Sequence, residues 1–284
     1  MIVKLRSTSL PLGADIGHES VSLVRTDVAR GGFTLREAGS LQVPAATESD
    51  ADLTVAETIR AILRTFSTRE RRCIVAAPPG DVVHRIFRLP PGMGRREAER
   101  AAALEADSLA PWPPAERVLA LDPIPGLAGD MLLAVARRNA IDRLVGIAKA
   151  GGLTVVAVDL PICAWRRAVP DADAVLDLTR ERAELIVFGE SGGAAQLFAP
   201  RLIDERLALN VRTFLVEARR DGIADVRRLS ILATSDRYAS LQSRLRDDGY
   251  AIAPVRFGEA ESPTWAFAYG LATWSVAPLG LQPS

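Results

Sequence analysis

Hydrophobic and polar positions along this chain switch repeatedly between a period of two and a period near 3.6. The switches mark its elements. Leu10–Ile16 ends in Asp15-Ile16-Gly17, Ser20–Asp27 alternates and is rich in β-branched residues, and Gly31-Gly32 predicts a turn into a third strand over Phe33–Val43. Over Asp52–Phe66 the apolar residues Leu53, Ala56, Ile59, Ile62, Leu63 and Phe66 recur with helical spacing. Cys73–Ala77 predicts a short buried strand stopped by Pro78-Pro79-Gly80, and Val82–Leu89 another stopped by Pro90-Pro91-Gly92. Arg95–Leu109 predicts a helix ended by Pro111. Arg117–Ile124 and Asp130–Arg137 predict two strands around a Gly/Pro turn. A helix over Asn139–Ala150 stops at Gly151-Gly152, followed by a strand at Leu153–Asp159 and a helix at Pro161–Ala168 with proline in its first turn.

The pattern then restarts. Ala174–Leu178 is a predicted strand carrying Asp177, Ala183–Phe188 and Ala194–Pro200 form a hairpin, and Ile203–Arg220 is a long amphipathic helix. Strand Arg228–Thr234, helix Arg237–Asp247, strand Tyr250–Val255 and helix Thr264–Ser275 complete the chain. The two halves share an order without obvious identity: strand ending in Asp, hairpin, helix, strand, helix. Interleaved strands and helices imply an α/β protein.

Composition narrows the function classes. Of 284 residues, 48% are hydrophobic and 25% charged, which is enough apolar material for a large core or two ordinary ones. The 35 basic and 35 acidic residues cancel, so no overall basic field favours nucleic acid. Lys4 and Lys149 are the only lysines, which leaves two candidates for any chemistry that needs one. Cys73 and Cys163, with His18 and His84, show no zinc-ligand spacing and read as small buried hydrophobes. Met1–Arg6 is too short and too charged for a signal peptide, and no run approaches the ~20 apolar residues of a membrane span. A cytoplasmic protein that reaches a membrane through partners is expected.

Most local motifs fail on context. Gly189-Glu190-Ser191-Gly192-Gly193 fits G-x-S-x-G, but a strand rather than a helix follows it and both histidines lie upstream. It reads as a hairpin turn. No P-loop is present, and Gly92-Met93-Gly94 lacks the third glycine of a dinucleotide fingerprint. The charge run Arg95–Arg100 reads as a solvated helix face. One feature survives. Asp15-Ile16-Gly17-His18-Glu19-Ser20-Val21-Ser22 places an Asp at a strand end, then a tight Gly-containing turn, then a strand. Backbone N–H groups of such a turn can approach a phosphate, while the Asp can hold Mg²⁺ through water.

The segment Asp15–Val24 resembles the first phosphate loop of the PilM family, the actin-like ATPases of type IV pilus assembly, related to FtsA. Arg85-Ile86-Phe87-Arg88-Leu89-Pro90, Glu97–Leu104 and Leu104-Glu105-Ala106-Asp107-Ser108-Leu109-Ala110-Pro111-Trp112-Pro113 resemble its "LP…LEA-polar-x-x-P-aromatic-P" stretch. Met131–Arg138, Asn139–Leu153 and Val156-Val158-Asp159 resemble its next strand–helix–strand unit, and Trp265–Leu271 its C-terminal helix. The resemblance implies an actin-like ATPase fold with two lobes of ribonuclease-H-like topology. Lobe 1 would span residues 1–170, with subdomain 1A about 1–71 and 159–170 and subdomain 1C about 72–158. Lobe 2 would span 171–284, with helix 264–275 packing back towards lobe 1.

The chain departs from the family in its nucleotide motifs. Ser22 stands where the family usually carries Lys. The second loop reads Asp177-Leu178-Thr179-Arg180-Glu181 without its Gly, and Ile231-Leu232-Ala233-Thr234-Ser235-Asp236 lacks the paired glycines of the adenosine motif. Cβ atoms at Leu178 and Thr179 would obstruct close approach of backbone to phosphate. The short gap between Phe198 and Ile203 implies that subdomain 2B is reduced or missing. On the resemblance, a vestigial nucleotide site would comprise Asp15, Gly17, His18, Ser20, Ser22, Asp177 and Thr179, with Asp15 and Asp177 as the Mg²⁺ acids, and Mg-ATP binding weakened or lost. The implied function is a pseudo-ATPase scaffold that binds the N-terminal tail of a PilN-like inner-membrane protein between 1A and 1C and couples it to a motor ATPase. A GspL-like component of type II secretion, with a GspM-like partner, is the near alternative. It normally continues into a membrane helix, and this chain shows none before Ser284. An active ATPase or small-molecule kinase is the alternative of another class, kept open by Asp15 and Asp177.

Overall fold

The computed structural model describes residues 10–29, 32–90, 92–123, 130–179, 182–189, 194–200, 204–233, 238–253 and 263–274. Strands β1 (Leu12–Ile16), β2 (Ser20–Ala29) and β3 (Gly32–Gln42) form an antiparallel meander. β4 (Arg72–Ala76) and β8 (Thr154–Asp159) extend it in parallel with β1, in the order β3-β2-β1-β4-β8. A second sheet repeats this topology. β9 (Ala174–Asp177), β10 (Arg182–Phe188) and β11 (Ala194–Pro200) are the meander, and β12 (Arg228–Leu232) and β13 (Ala251–Ala253) run parallel to β9, in the order β11-β10-β9-β12-β13. The shared order of elements in the two halves is therefore a structural duplication.

Helices separate and cover the sheets. α1 (Ala51–Thr65) and α3 (Arg138–Ala150) pack on the outer face of the first sheet, where Val55, Ile59, Ile62, Leu144 and Ile147 meet Leu12, Leu23 and Val75. Leu53, counted in the apolar stripe from sequence, is 53% exposed; Val55 takes its place in the core. α5 (Asp204–Arg220) and α6 (Ala239–Asp247) cover the far face of the second sheet through Leu207, Val211, Leu215, Leu241 and Leu245. α4 (Pro161–Ala168) and α7 (Ala266–Ala272) lie between the sheets. There α7 meets β1 and α4 backbone to backbone: a Cβ on Gly13 would overlap the Ala268 carbonyl oxygen, and one on Gly270 the Ala164 carbonyl oxygen. Only glycine allows these two approaches.

A third sheet, β5 (Val82–Arg88), β6 (Arg117–Pro123) and β7 (Asp130–Arg137), has the order β5-β7-β6 and is antiparallel. α2 (Arg95–Leu109) covers one of its faces, with Ala102 and Ala106 on Leu133 and Val135. Glu97 reaches back to accept from the Gly94 N–H at 3.0 Å, capping α2. Buried Arg117 closes the other end by donating to the Ala106 carbonyl and pairing with Asp107. The expected limits of this insertion, 72 and 158, move inward. β4 and β8 hydrogen-bond into the first sheet and α3 packs on α1, so the separate sheet occupies 82–137.

The ends of several elements differ from expectation. β1 starts at Leu12, α6 at Ala239 and α7 at Ala266 after a 3₁₀ turn at Pro263–Trp265, while Gly31, Ile124, Ile203 and Ser275 lie outside the described residues. The turn at 190–193, residues Arg180 and Glu181, and the adenosine-segment residues 234–236 also lie outside them. β11 ends at Pro200 and α5 begins at Asp204, so three residues stand where subdomain 2B would be inserted. No helix among the described residues is long and apolar enough to cross a membrane.

Candidate functional site

The carboxyl ends of β1 and β4 open into a cavity of about 290 Å³. Crevices at strand carboxyl ends, where connections diverge to opposite faces, are where open α/β sheets bind ligands. Asp15, Gly17 and His18 line it from the β1–β2 turn, and Pro78, Pro79 and Asp81 line it where the chain leaves for the inserted sheet. α3 adds Arg143, α4 adds Pro161, α7 adds Phe267, and the second sheet adds Glu184. The size lies at the lower end of small-molecule sites, which run from about 300 to 1,000 Å³.

Both acids and bases line this cavity, among them His18, and Arg137 lies 4.0 Å from Asp81. Asp15, Asp81 and Glu184 supply carboxylates, and Arg143 is already engaged. Its Nε donates to both Asp52 carboxylate oxygens at 3.1 and 2.9 Å, and its Nη2 donates to one of them at 2.7 Å. These bonds hold the Asp52 carboxyl below the usual carboxylate range and raise the Arg143 guanidinium.

The residues singled out from sequence divide into three groups. Asp15, Gly17 and His18 come together in the cavity. Ser20 does not line it; its carbonyl accepts the Gly17 N–H at 3.0 Å, closing the turn on itself. That N–H is one a phosphate-cradling loop would aim outward. Ser22 lies directly opposite Asp15 in the ladder and is buried. Its hydroxyl makes a 2.9 Å bond to Ser40 and donates at 3.2 Å to the Thr264 carbonyl, tying β2 to the C-terminal segment.

Asp177 and Thr179 form the third group. Asp177 is 1% exposed and ends β9 as Asp15 nearly ends β1. One of its carboxylate oxygens accepts from the Thr179 N–H at 2.8 Å and from the Thr179 hydroxyl at 2.6 Å. Leu178 is a core residue whose N–H donates to the Leu232 carbonyl. Asp177 and Thr179 are thus bonded to each other at the end of β9.

Sequence reasoning missed Glu184. It sits directly opposite Asp177, is 3% exposed and reaches the cavity from the second sheet. A charge inside the apolar run Ala183–Phe188 was the available signal. Phe267 and Arg143 carried none, because their place depends on helix packing.

A second surface lies beside β8. This strand is an edge of the first sheet. Val156 and Ala157 on it, with Val82, Ile86 and Ala134 of the inserted sheet, are partly buried against one apolar cluster, and Val158 is 37% exposed. Asp159, at the strand end, is buried, and burial pushes its carboxyl up; Arg167 pairs with it, and the Leu160 N–H donates to it at 2.8 Å.

Comparison with known proteins places this geometry in context. The family model described as "Type IV pilus assembly protein PilM" matches residues 13–189, which is 177 of 284 positions. No curated protein matches the chain. Among solved structures, the "PilM-PilN type IV pilus biogenesis complex" is similar at 21% identity and TM-score 0.74, over 96% of this chain and 100% of that one. The cytoplasmic domain of EpsL, an inner-membrane component of the type II secretion system of Vibrio cholerae, is similar at 12% identity and TM-score 0.55, over 93% and 94%. A Bacteroides thetaiotaomicron protein with an actin-like ATPase fold matches at 10% identity and TM-score 0.48, over 95% and 99%. The duplicated sheets, with the likenesses to the PilM-PilN complex and the EpsL domain, establish the fold, which is the actin-like one.

Proposed function

Because the chain belongs to the type IV pilus assembly protein PilM family, we propose that it is a scaffold of a type IV pilus or related secretion machine, working on the cytoplasmic side of the inner membrane. Its role is to seat the N-terminal tail of a PilN-like membrane protein and to couple that protein to the motor. The observation that carries this reading is the outer edge of β8, unpaired among the described residues, beside the apolar face of the inserted sheet. An extended peptide can add to such an edge through main-chain hydrogen bonds while its side chains enter the groove. The similarity to a structure of PilM with PilN supports the choice of partner.

The test is binding of the PilN-like tail, as a labelled peptide, to wild type and to Val158→Asp. The exposed side chain makes the variant tolerable for folding. Loss of at least about tenfold in affinity, roughly 1.4 kcal/mol, is expected. Unchanged binding by a folded variant overturns the groove. A GspM-like tail tested in parallel addresses the second reading, a GspL-like component of type II secretion, which the likeness to the EpsL domain favours.

The scaffold works without nucleotide in this reading. The Gly17 N–H and one Asp177 oxygen are used within their own loops, and the cavity's Arg143 is held by Asp52. Thermal unfolding with Mg-ATP is the check. A native-state ligand at ~100 times its Kd stabilises by about 2.7 kcal/mol, a shift of several degrees. No shift at millimolar Mg-ATP is expected. A Mg-dependent shift abolished by Asp15→Ala restores the ATPase or kinase reading.

A further inference from the structure

An actin-like clamp that works by closing on a nucleotide needs lobes that part when it leaves. The layer between the sheets argues against such movement here. One buried apolar cluster contains Ile74 of the first sheet, Leu132 of the inserted sheet, and Val175, Ile186, Phe188 and Leu232 of the second. α4 and α7 join them, chiefly through Trp165, Phe267 and Leu271, so the core is continuous across all three sheets. The Trp165 and Phe267 rings meet with centroids 4.9 Å apart. Parting the lobes would expose this core to water.

The C-terminal segment packs on the first lobe's side of this junction. It follows the last strand of the second sheet in the chain, yet it is tied to the first lobe by four side chains. Ser22 donates to the Thr264 carbonyl, Thr26 to the Ala272 carbonyl at 3.3 Å and Arg167 to the Gly270 carbonyl at 2.9 Å. Tyr269 in turn donates to the Phe33 carbonyl at 3.2 Å. The glycine contacts of α7 with β1 and α4 leave no slack for sliding. Ser22, where the resembled family usually carries a lysine, here serves this tie.

We infer that the shared core holds the two lobes at one fixed angle in the absence of any ligand, so that nucleotide does not switch the protein between open and closed forms. The inference goes beyond the scaffold reading and rests on the interlobe packing alone. The partner surface at β8 is then displayed continuously, and control of assembly lies with the partners.

Spin labels at Arg64→Cys on α1 and Glu217→Cys on α5, both exposed positions on the outer layers, report the interlobe distance. Cys73 and Cys163 are buried, which directs labelling to the introduced thiols. One narrow distance, identical with and without millimolar Mg-ATP, is expected. A distance that shifts with Mg-ATP, or two distances without it, overturns the inference. Phe267→Ala in the labelled protein should broaden the distribution. If that variant does not fold, Leu271→Val is the milder substitution with the same expectation. A folded variant that keeps the narrow distance refutes the core as the restraint. Failure of tail binding at β8 would leave these outcomes unaffected, so the two readings fail separately.

Discussion

Trp165→Ala is the substitution that most directly probes how the lobes cohere. Trp165 is 1% exposed on α4, stacks at a tilt on Phe267, and its indole Nε1 has no acceptor among the described residues. Truncation therefore removes packing without breaking a hydrogen bond. Buried Trp→Ala changes cost about 3–5 kcal/mol, the ring pair included. For domains somewhat smaller than this one, each kcal/mol lowers Tm by roughly 2–4 °C, which gives a drop of about 6–20 °C with the lower half expected at this chain length.

Far-ultraviolet circular dichroism is the suitable readout, because fluorescence would lose one of its four tryptophans. Wild type should melt in one transition, since one core spans both sheets. The Ala variant should melt earlier and in two steps, as the second sheet with α5 and α6 retains its own cluster around Leu176, Leu185 and Leu241. Trp165→Phe should restore the single transition by keeping a ring against Phe267. A variant melting within about 2 °C of wild type would refute the argument, because the core-truncation magnitude would then not apply at this site. Two separated transitions in wild type would refute it as well.

Other outcomes follow from the same geometry. Gly13→Ala should prevent accumulation of folded protein, measured as soluble yield, because its Cβ would collide with the Ala268 carbonyl. Burial lowers the pKa of His84 from 6.5, so the unfolded chain binds a proton that the native state refuses; stability should be level above about pH 6.5 and fall in acid by at most ~1.4 kcal/mol per pH unit. Urea midpoints on either side of that pH, with His84→Gln flattening the difference, check the sign. Burial pushes the Cys73 thiol up to about 12, so native protein should resist alkylation at mildly alkaline pH and react only when unfolded, as mass spectrometry would show. Asp15→Ala should leave pilus or secretion function largely intact in cells; its loss in a folded variant would contradict nucleotide-independent action.

The local alternation of Ser20–Asp27 and the stripe Ile59, Ile62, Leu63 were enough to read strands and helices, because burial on one face imposes those periods. Sheet membership was a different matter. Cys73–Ala77 and Leu153–Asp159 look the same whether they frame the inserted sheet or belong to the first one, and parallel pairing across some eighty residues leaves no local mark. Of the candidate site, Asp15, Gly17 and His18 were legible because they share one turn. Glu184 was not, since its relevance comes from standing opposite Asp177 in a ladder and from the packing of one sheet towards the other. Ser22 is the most instructive case. Read along the chain, it is a missing lysine. In the fold its hydroxyl meets the carbonyl of a residue 242 positions away, so the position holds the C-terminal segment. Reading along the chain shows only which side chain the position lacks, whereas the fold shows what the hydroxyl that stands there does: it fastens β2 to the segment that leads into α7.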